Sequence, residues 1–151
     1  MPIAINSDKI DLSSEKKTEE LANKVSQKLK PGNIIFLYGE MGVGKTTFIR
    51  YLINTLQKNN KLNQTEITSP TFNLLNEYQM NDLVIKHYDL FRLNDKSEIN
   101  NLDIFEKNSN NITLIEWPQL VEKKRSSKAI DLIFEYENEL NNRSIKINGL
   151  D

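Results

Sequence analysis

Cysteine is absent from this chain of 151 residues, and histidine and tryptophan occur once each. Without thiols the chain has no disulfide partner, no thiolate zinc site and no cysteine nucleophile. A metal must therefore bind oxygen ligands or the lone His87, which favours Mg2+ over Zn2+. Glycine is also scarce, with five residues, yet Gly39, Gly42 and Gly44 fall within six positions.

Long hydrophobic runs are absent as well. The longest strongly apolar stretch, residues 34–38, is far too short to span a bilayer. The N-terminal residues lack the basic start and apolar core of a secretory signal. We therefore expect a cytoplasmic protein that does not engage a membrane. The net charge of -1 argues against tight direct binding of nucleic acid, and the length fits one domain over residues 1–151.

Helix and strand patterns alternate along the chain. Helices are predicted from a cap at Ser13 or Ser14 to about Lys30, from Lys45 to about Lys58, and over Lys96–Lys107. Strands are predicted at an edge (Ile3–Ile5, Lys9–Leu12) and over Asn33–Tyr38, Phe72–Tyr78, Leu83–Tyr88, Ile112–Ile115, Ala129–Tyr136 and Arg143–Ile147. The last two form a closing hairpin. The fold class is α/β, with several antiparallel strands in a mixed sheet.

The clustered glycines belong to a phosphate-binding motif. Residues 39–46 read Gly-Glu-Met-Gly-Val-Gly-Lys-Thr, which matches the P-loop pattern G-x-x-x-x-G-K-[ST] between a buried strand and an amphipathic helix. Glycines let the backbone wrap a phosphate, and the helix N-terminus adds partial positive charge. Lys45 would reach the β- and γ-phosphates, Thr46 would ligate Mg2+, and Thr47 could reach the α-phosphate. The predicted nucleotide-binding residues of the loop are Glu40, Met41, Gly42, Val43, Gly44, Lys45, Thr46 and Thr47.

Two motifs of guanine-specific proteins are missing. No aspartate stands three residues before any glycine, so the chain has no D-x-x-G. The nearest approach to N-K-x-D, at residues 60–63, ends in asparagine and lacks the acid that reads guanine. ATP is therefore favoured over GTP.

Acidic residues end two of the predicted strands. Either Asp89 or Glu116 could hold Mg2+, and the other could orient the attacking water; the pattern leaves the choice open. Strand alternation places His87 on the same face as Asp89, where it either bonds near the site or is structural. The Ser69-Pro70-Thr71 loop is either a switch over the γ-phosphate or an ordinary turn.

The remaining aromatic and basic side chains have weaker assignments. Trp117 either presents its ring to the nucleotide or a partner, or belongs to the core. Arg92 and Arg125 are candidates for a charge-stabilising arginine. The basic run 123–125, with Lys128, is typical of a solvated loop.

Taken together, these segments resemble the TsaE (YjeE) family, small bacterial P-loop ATPases of the tRNA threonylcarbamoyladenosine pathway. The resemblance rests on GEMGVGKTTF (39–48), TSPTF (68–72), HYDLFRL (87–93) and LIEWP (114–118), in the family's order and spacing. Residues 18–21 also resemble the family's first-helix motif. Arg143 falls where the family often has an arginine.

The resemblance implies a P-loop NTPase fold, with a mixed central sheet flanked by helices. It implies that Thr46 and Glu116 bind Mg2+ and that Asp89 is needed for hydrolysis, with Lys45, Asp89 and Glu116 as the catalytic set. Residues 69–72 would be switch-like, and Thr18 (adenine end), Trp117 and Arg143 would lie by the nucleotide. The partners implied are TsaD and TsaB, which modify the tRNA, so tRNA would be met only through that complex.

Two alternatives to an ATPase remain. A small-molecule kinase usually needs an arginine-rich lid, and this chain has four arginines: Arg50, Arg92, Arg125 and Arg143. A nucleotide-gated binding module would use the same loop with negligible turnover.

Overall fold

A mixed sheet of seven strands forms the centre of the protein, in a computed structural model that describes residues 8–70, 72–93, 96–99, 104–105, 110–122, 129–137 and 142–150. The strands are β1 (Ile10–Asp11), β2 (Ile34–Tyr38), β3 (Leu75–Met80), β4 (Leu83–Asp89), β5 (Asn111–Glu116), β6 (Ile130–Tyr136) and β7 (Arg143–Asn148). The helices are α1 (Glu15–Lys28), α2 (Lys45–Asn59) and α3 (Lys96–Ile99), with a 3-10 helix at Pro118–Leu120. The predicted α/β class with a mixed sheet is confirmed.

Strand β2 is the central strand, in the order β1-β7-β6-β2-β5-β4-β3. It runs parallel to β5 and β6, and β4 runs parallel to β5. The outer strands β3, β7 and β1 pair antiparallel with their neighbours, so β6 and β7 form the predicted hairpin. Because parallel strands end at one edge of a sheet, the ends of β2, β4, β5 and β6 lie together.

Alternating side chains on these strands supply two hydrophobic cores. Ile35 and Leu37 of β2 belong to the core that includes the apolar faces of α1 and α2, whereas Phe36 belongs to the core on the opposite face. Ile85 and Leu114 share the helix side. By the same alternation, side chains at positions 87, 89 and 116 face the helix side.

Helix α1 begins where one of the two predicted caps places it. The Ser14 backbone is extended, and its hydroxyl accepts a hydrogen bond from the Lys17 N–H at 3.3 Å. Leu21 and Val25 are buried where α1 packs against α2. None of the helices in the described ranges is long and apolar enough to cross a membrane.

The structure corrects two predicted boundaries. Phe72 is not in a strand, because residues 72–74 turn: the Leu74 N–H donates to the Pro70 carbonyl at 2.7 Å, and Leu74 has a φ of 66°. Strand β3 therefore begins at Leu75. Helix α3 is described only over Lys96–Ile99, and residues 104–105 form a turn rather than continuing the predicted helix. The predicted edge strand at residues 3–5 lies outside the described residues.

Candidate nucleotide-binding site

The loop of residues 39–44 connects β2 to α2 and needs glycine at both ends. Gly39 has a φ of 145°, and a Cβ there would lie 2.8 Å from Val43 Cγ1 and 2.9 Å from the Phe134 carbonyl oxygen. Gly44 caps α2 with a φ of 115°, and no side chain accepts from the first turn. The N–H groups of that turn therefore lack intrahelical partners, and they carry the positive end of the helix dipole.

A cavity of about 300 Å³ opens in front of this turn. Loop, helix and strand ends contribute its walls: Met41, Gly42, Gly44, Lys45, Thr46, Thr47, Ser69, Asp89, Phe91, Glu116, Trp117 and Arg143. The three predicted catalytic residues are thus brought together with most of the predicted loop residues. The volume and the open N–H groups suit a polyphosphate.

Asp89 and Glu116 occupy matching positions but differ in their contacts. They are register partners at the ends of β4 and β5, and both carboxylates are buried. Both oxygens of Asp89 accept hydrogen bonds, Oδ2 from the Ser69 hydroxyl at 2.9 Å and Oδ1 from the Phe91 N–H at 3.0 Å. Among the described residues, Glu116 is bonded through Oε2 alone, to His87 Nε2 at 2.8 Å.

Lys45 is held by two contacts at the wall of the cavity. Its Nζ donates to the Gly39 carbonyl at 2.6 Å and lies 3.9 Å from the centroid of the Trp117 ring. Burial lowers the pKa of Lys45, while the charges of Glu116 and Asp89 act in the opposite direction. The ammonium therefore sits among groups that a phosphate can replace.

Trp117 connects the two acidic strand ends. It follows Glu116 in a left-handed backbone conformation, with a φ of 56°, and Phe91 follows Asp89 by two residues. The Trp117 and Phe91 rings make contact with centroids 4.8 Å apart. An aromatic wall therefore stands beside Lys45 at the cavity mouth.

A second cavity, of about 230 Å³, continues on the other side of the loop. It shares Gly44, Thr47 and Arg143 with the first. Its other lining residues are Leu12, Ser13, Ser14, Glu15, Thr18, Val43 and Phe134. Thr18 therefore lines a different cavity from the two carboxylates.

Arg143 lines both cavities, and no described side chain forms an ion pair with it. Its backbone N–H donates to the Ser13 hydroxyl at 3.2 Å, and its guanidinium lies 5.8 Å from the Tyr136 ring centroid. Within the described ranges its guanidinium forms no ion pair, and Nε has no hydrogen-bond partner. Such a cation suits an anionic ligand.

Some predicted residues lie elsewhere. Glu40 is exposed and lines neither cavity; only its carbonyl takes part in the loop, accepting from the Val43 N–H at 3.2 Å. Arg92 also lines neither cavity, and its guanidinium lies 4.9 Å from the Phe72 ring centroid. Thr71, Lys128 and the basic run with Arg125 fall outside the described residues.

Sequence reasoning missed several lining residues. Phe91 belongs to the HYDLFRL segment, and its spacing from Asp89 could have indicated it. The sequence indicates Ser13 and Ser14 only as alternative helix caps, although both line the second cavity. No sequence pattern indicates the contact of Tyr136 with the loop: Tyr136 lines neither cavity, but its hydroxyl lies 3.3 Å from where a Cβ on Gly42 would stand.

The donor set suits Mg2+ bound together with phosphates. Glu116 Oε1 accepts no hydrogen bond from the described residues, and the exposed Thr46 lines the same cavity. No cluster of three or more His, Asp or Glu side chains in the described ranges is arranged to hold a metal ion. Mg2+ commonly binds one or two protein oxygens plus phosphates and water, so such a cluster is not required.

The solved structure of Bacillus subtilis YdiB has the same fold. It matches this chain with a TM-score of 0.72 at 22% identity, over 97% of this chain and 87% of that one. This agrees with the sheet described above.

Sequence comparisons identify the family. The family described as threonylcarbamoyl adenosine biosynthesis protein TsaE matches residues 12–145. The chain is 40% identical over 124 residues to the tRNA threonylcarbamoyladenosine biosynthesis protein TsaE of Rickettsia conorii, covering 82% of this chain and 69% of that protein. It is 35% identical over 126 residues to the same-named Aquifex aeolicus protein, covering 83% and 84%. The chain belongs to the TsaE family, which functions in tRNA threonylcarbamoyladenosine biosynthesis.

Proposed function

We propose that this chain is a magnesium-dependent ATPase and that residues 1–151 form its single domain. It acts in the cytoplasm as an accessory factor of TsaB and TsaD in forming tRNA N6-threonylcarbamoyladenosine, and it meets tRNA only through that complex. The observation that carries the proposal is the cavity in which Lys45, Asp89 and Glu116 converge on an uncapped helix N-terminus.

ATP lies across both cavities. Its phosphates accept hydrogen bonds from the loop and from the first turn of α2, and its adenosine end lies towards Thr18. Lys45 exchanges the Gly39 carbonyl for the β- and γ-phosphates, which is favourable because an ammonium binds an anion more strongly than a neutral carbonyl. Arg143, between the two cavities, adds a second cation.

Hydrolysis transfers the γ-phosphoryl group to water and releases ADP and phosphate. Asp89 accepts a hydrogen bond from the attacking water and orients it in line with the bond that breaks. Thr46 and Glu116 would hold Mg2+, which would neutralise charge on the phosphates. The support for dividing the roles this way is that Ser69 and Phe91 hold both Asp89 oxygens, whereas Glu116 has one oxygen to which no described residue donates.

Exposed apolar side chains support a protein partner over the cavity mouth. Met41 is 65% exposed and Phe91 46% exposed, and both line the first cavity. Apolar groups of this size grouped at one opening are typical of surfaces that another protein covers. A partner there would restrict water and couple nucleotide turnover to complex assembly.

The decisive assay measures phosphate release from ATP by the full chain mixed with TsaB and TsaD. We expect release with Mg2+ and none in EDTA. Lys45→Ala should lower the rate at least about 100-fold, because it removes a group that stabilises charge on the transferred phosphoryl. Lys58→Ala, at the opposite end of α2, is the matched control and should keep the wild-type rate.

Three results would contradict the proposal. The first is no phosphate release with both partners present. The second is phosphate delivered to a small metabolite instead of water, which would favour a kinase. The third is tRNA modification supported equally by ATP and a non-hydrolysable analogue, which would favour a nucleotide-gated binding module.

A further inference from the structure

His87 is the buried polar group whose role the proposed reaction does not explain. Its side chain is fully buried in β4, two residues before Asp89. In the sheet register it stands opposite Leu114, so it reaches diagonally to Glu116, two residues further along β5 and on the same face. The resulting Nε2 to Oε2 distance is 2.8 Å.

The chemistry of the carboxylate sets the direction of this contact. Glu116 as a carboxylate can only accept, so His87 donates from Nε2. The other ring nitrogen, Nδ1, has no hydrogen-bond partner among the described residues. The tautomer that carries its proton on Nε2 fits both facts, because Nδ1 is then an unpaired acceptor and not an unpaired buried N–H.

We propose that His87 is a positioning residue for the magnesium ligand Glu116. It holds Oε2, while Oε1 has no hydrogen-bond partner among the described residues and belongs to a side chain that lines the same cavity as Thr46. Carboxylates that bind metals are commonly held this way by a second group, whose loss lowers metal affinity. This inference rests on the proposed function, since it assigns Glu116 to Mg2+.

A purely structural histidine would act on folding but not on the metal. The distinguishing quantity is the magnesium increment, defined as the Kd of ADP in EDTA divided by its Kd in Mg2+. It is measured by calorimetry on the full chain and needs no turnover. P-loop contacts contribute to both Kd values, and a loss of general stability weakens both by the same factor. The ratio of the two Kd values is therefore unchanged by such a loss.

We expect His87→Leu to lower the magnesium increment about tenfold or more, in line with losses of groups that hold metal ligands. His87→Gln should keep most of the increment, because its side-chain amide can donate from nearly the same place as Nε2. Adding His87→Leu to Glu116→Gln should lower the increment no further than Glu116→Gln does alone. Ile85→Val, buried on the same face of β4, is the matched packing control and should match wild type.

An unchanged increment in folded His87→Leu overturns the inference and leaves the proposed ATPase intact. Equal losses in His87→Leu and His87→Gln also overturn it. A wild-type protein with no increment refutes magnesium binding itself, and this inference with it. If His87→Leu does not fold, His87→Asn replaces it: its shorter amide cannot reach Glu116, so an increment equal to that of His87→Gln contradicts the proposal.

Discussion

The two halves of the sheet on either side of β2 carry side chains of opposite charge at the same edge. On the β5 and β4 side, buried acids end the strands, Asp89 and Glu116. On the β6 and β7 side the edge carries a cation, Arg143, with Ser13 and Thr18 beyond it. The loop after β2 lies between these two walls.

Chain direction explains the difference. Parallel strands β4 and β5 bring their last residues to this edge, whereas β7 runs antiparallel and brings its first residue. Arg143 pairs with Tyr136, the last residue of β6. The hairpin therefore places a basic side chain at the edge where the two acidic residues end their strands. We assign the chemistry to the wall with the acids, and nucleotide recognition to the wall with Arg143.

The largest expected effect distinguishes the roles of Asp89 and Glu116, the two acids of the wall to which we assign the chemistry. Asp89→Asn should lower phosphate release about 100-fold, because it weakens the group that orients water, yet keep the magnesium increment in ADP affinity. Glu116→Gln should lose both. Calorimetry and phosphate release on the same preparations check this, and loss of the increment in Asp89→Asn alone would reverse the assignment.

An effect about ten times smaller should come from the recognition wall. Arg143→Ala removes a charged hydrogen-bond donor and should weaken ADP binding about tenfold, with or without Mg2+. Turnover at saturating ATP should change much less. Lys146→Ala on the same strand lines neither described cavity and is the control. A fall in kcat with unchanged affinity would place Arg143 in the chemistry instead.

At the boundary between the two walls, the fluorescence emission of Trp117 should change when nucleotide binds. Trp117 is the sole tryptophan, and the Lys45 ammonium lies over its ring. Nucleotide should draw Lys45 away and alter the emission. Nucleotide-free Lys45→Ala should then resemble the nucleotide-bound wild type. Emission from that variant identical to free wild type would mean that Lys45 does not leave the ring.

The smallest effect concerns acid stability on the recognition side. Hydrogen bonds from Lys17 and Ser13 lower the pKa of exposed Asp11 from 3.8 to about 2. Because the pKa of Asp11 is lower in the folded than in the unfolded state, its carboxylate stabilises the fold when the pH is above the unfolded-state pKa. This contribution disappears as the pH falls from about 4 to about 2. Urea unfolding should show a shallower acid loss in Asp11→Asn than in the turn control Asp82→Asn. Equal slopes would refute the contribution.

The sequence predicted the elements of this site better than the contacts between them. The glycine loop and the acids at positions 89 and 116 follow local patterns, namely a motif and apolar runs that end in a carboxylate. The contacts of His87 with Glu116, and of Lys45 with Trp117, join distant segments, so no local pattern contains them.

The boundaries that failed did so for local physical reasons. Leu74 adopts a left-handed backbone, which is uncommon for a non-glycine residue and which strand propensity does not anticipate. The start of β3 was therefore placed three residues too early. The predicted helix to Lys107 is too long because the backbone at residues 104–105 forms a turn, although Ile104 is buried in the same core as Ile99.

The most direct test of the account is a crystal structure of the chain with Mg2+ and a non-hydrolysable ATP analogue. The account predicts phosphates against residues 39–47, Lys45 Nζ moved from the Gly39 carbonyl to a phosphate oxygen, and the metal on Thr46 and Glu116. Adenosine should lie towards Thr18. Phosphates bound away from the loop, or a metal held by Asp89 without Glu116, would contradict it.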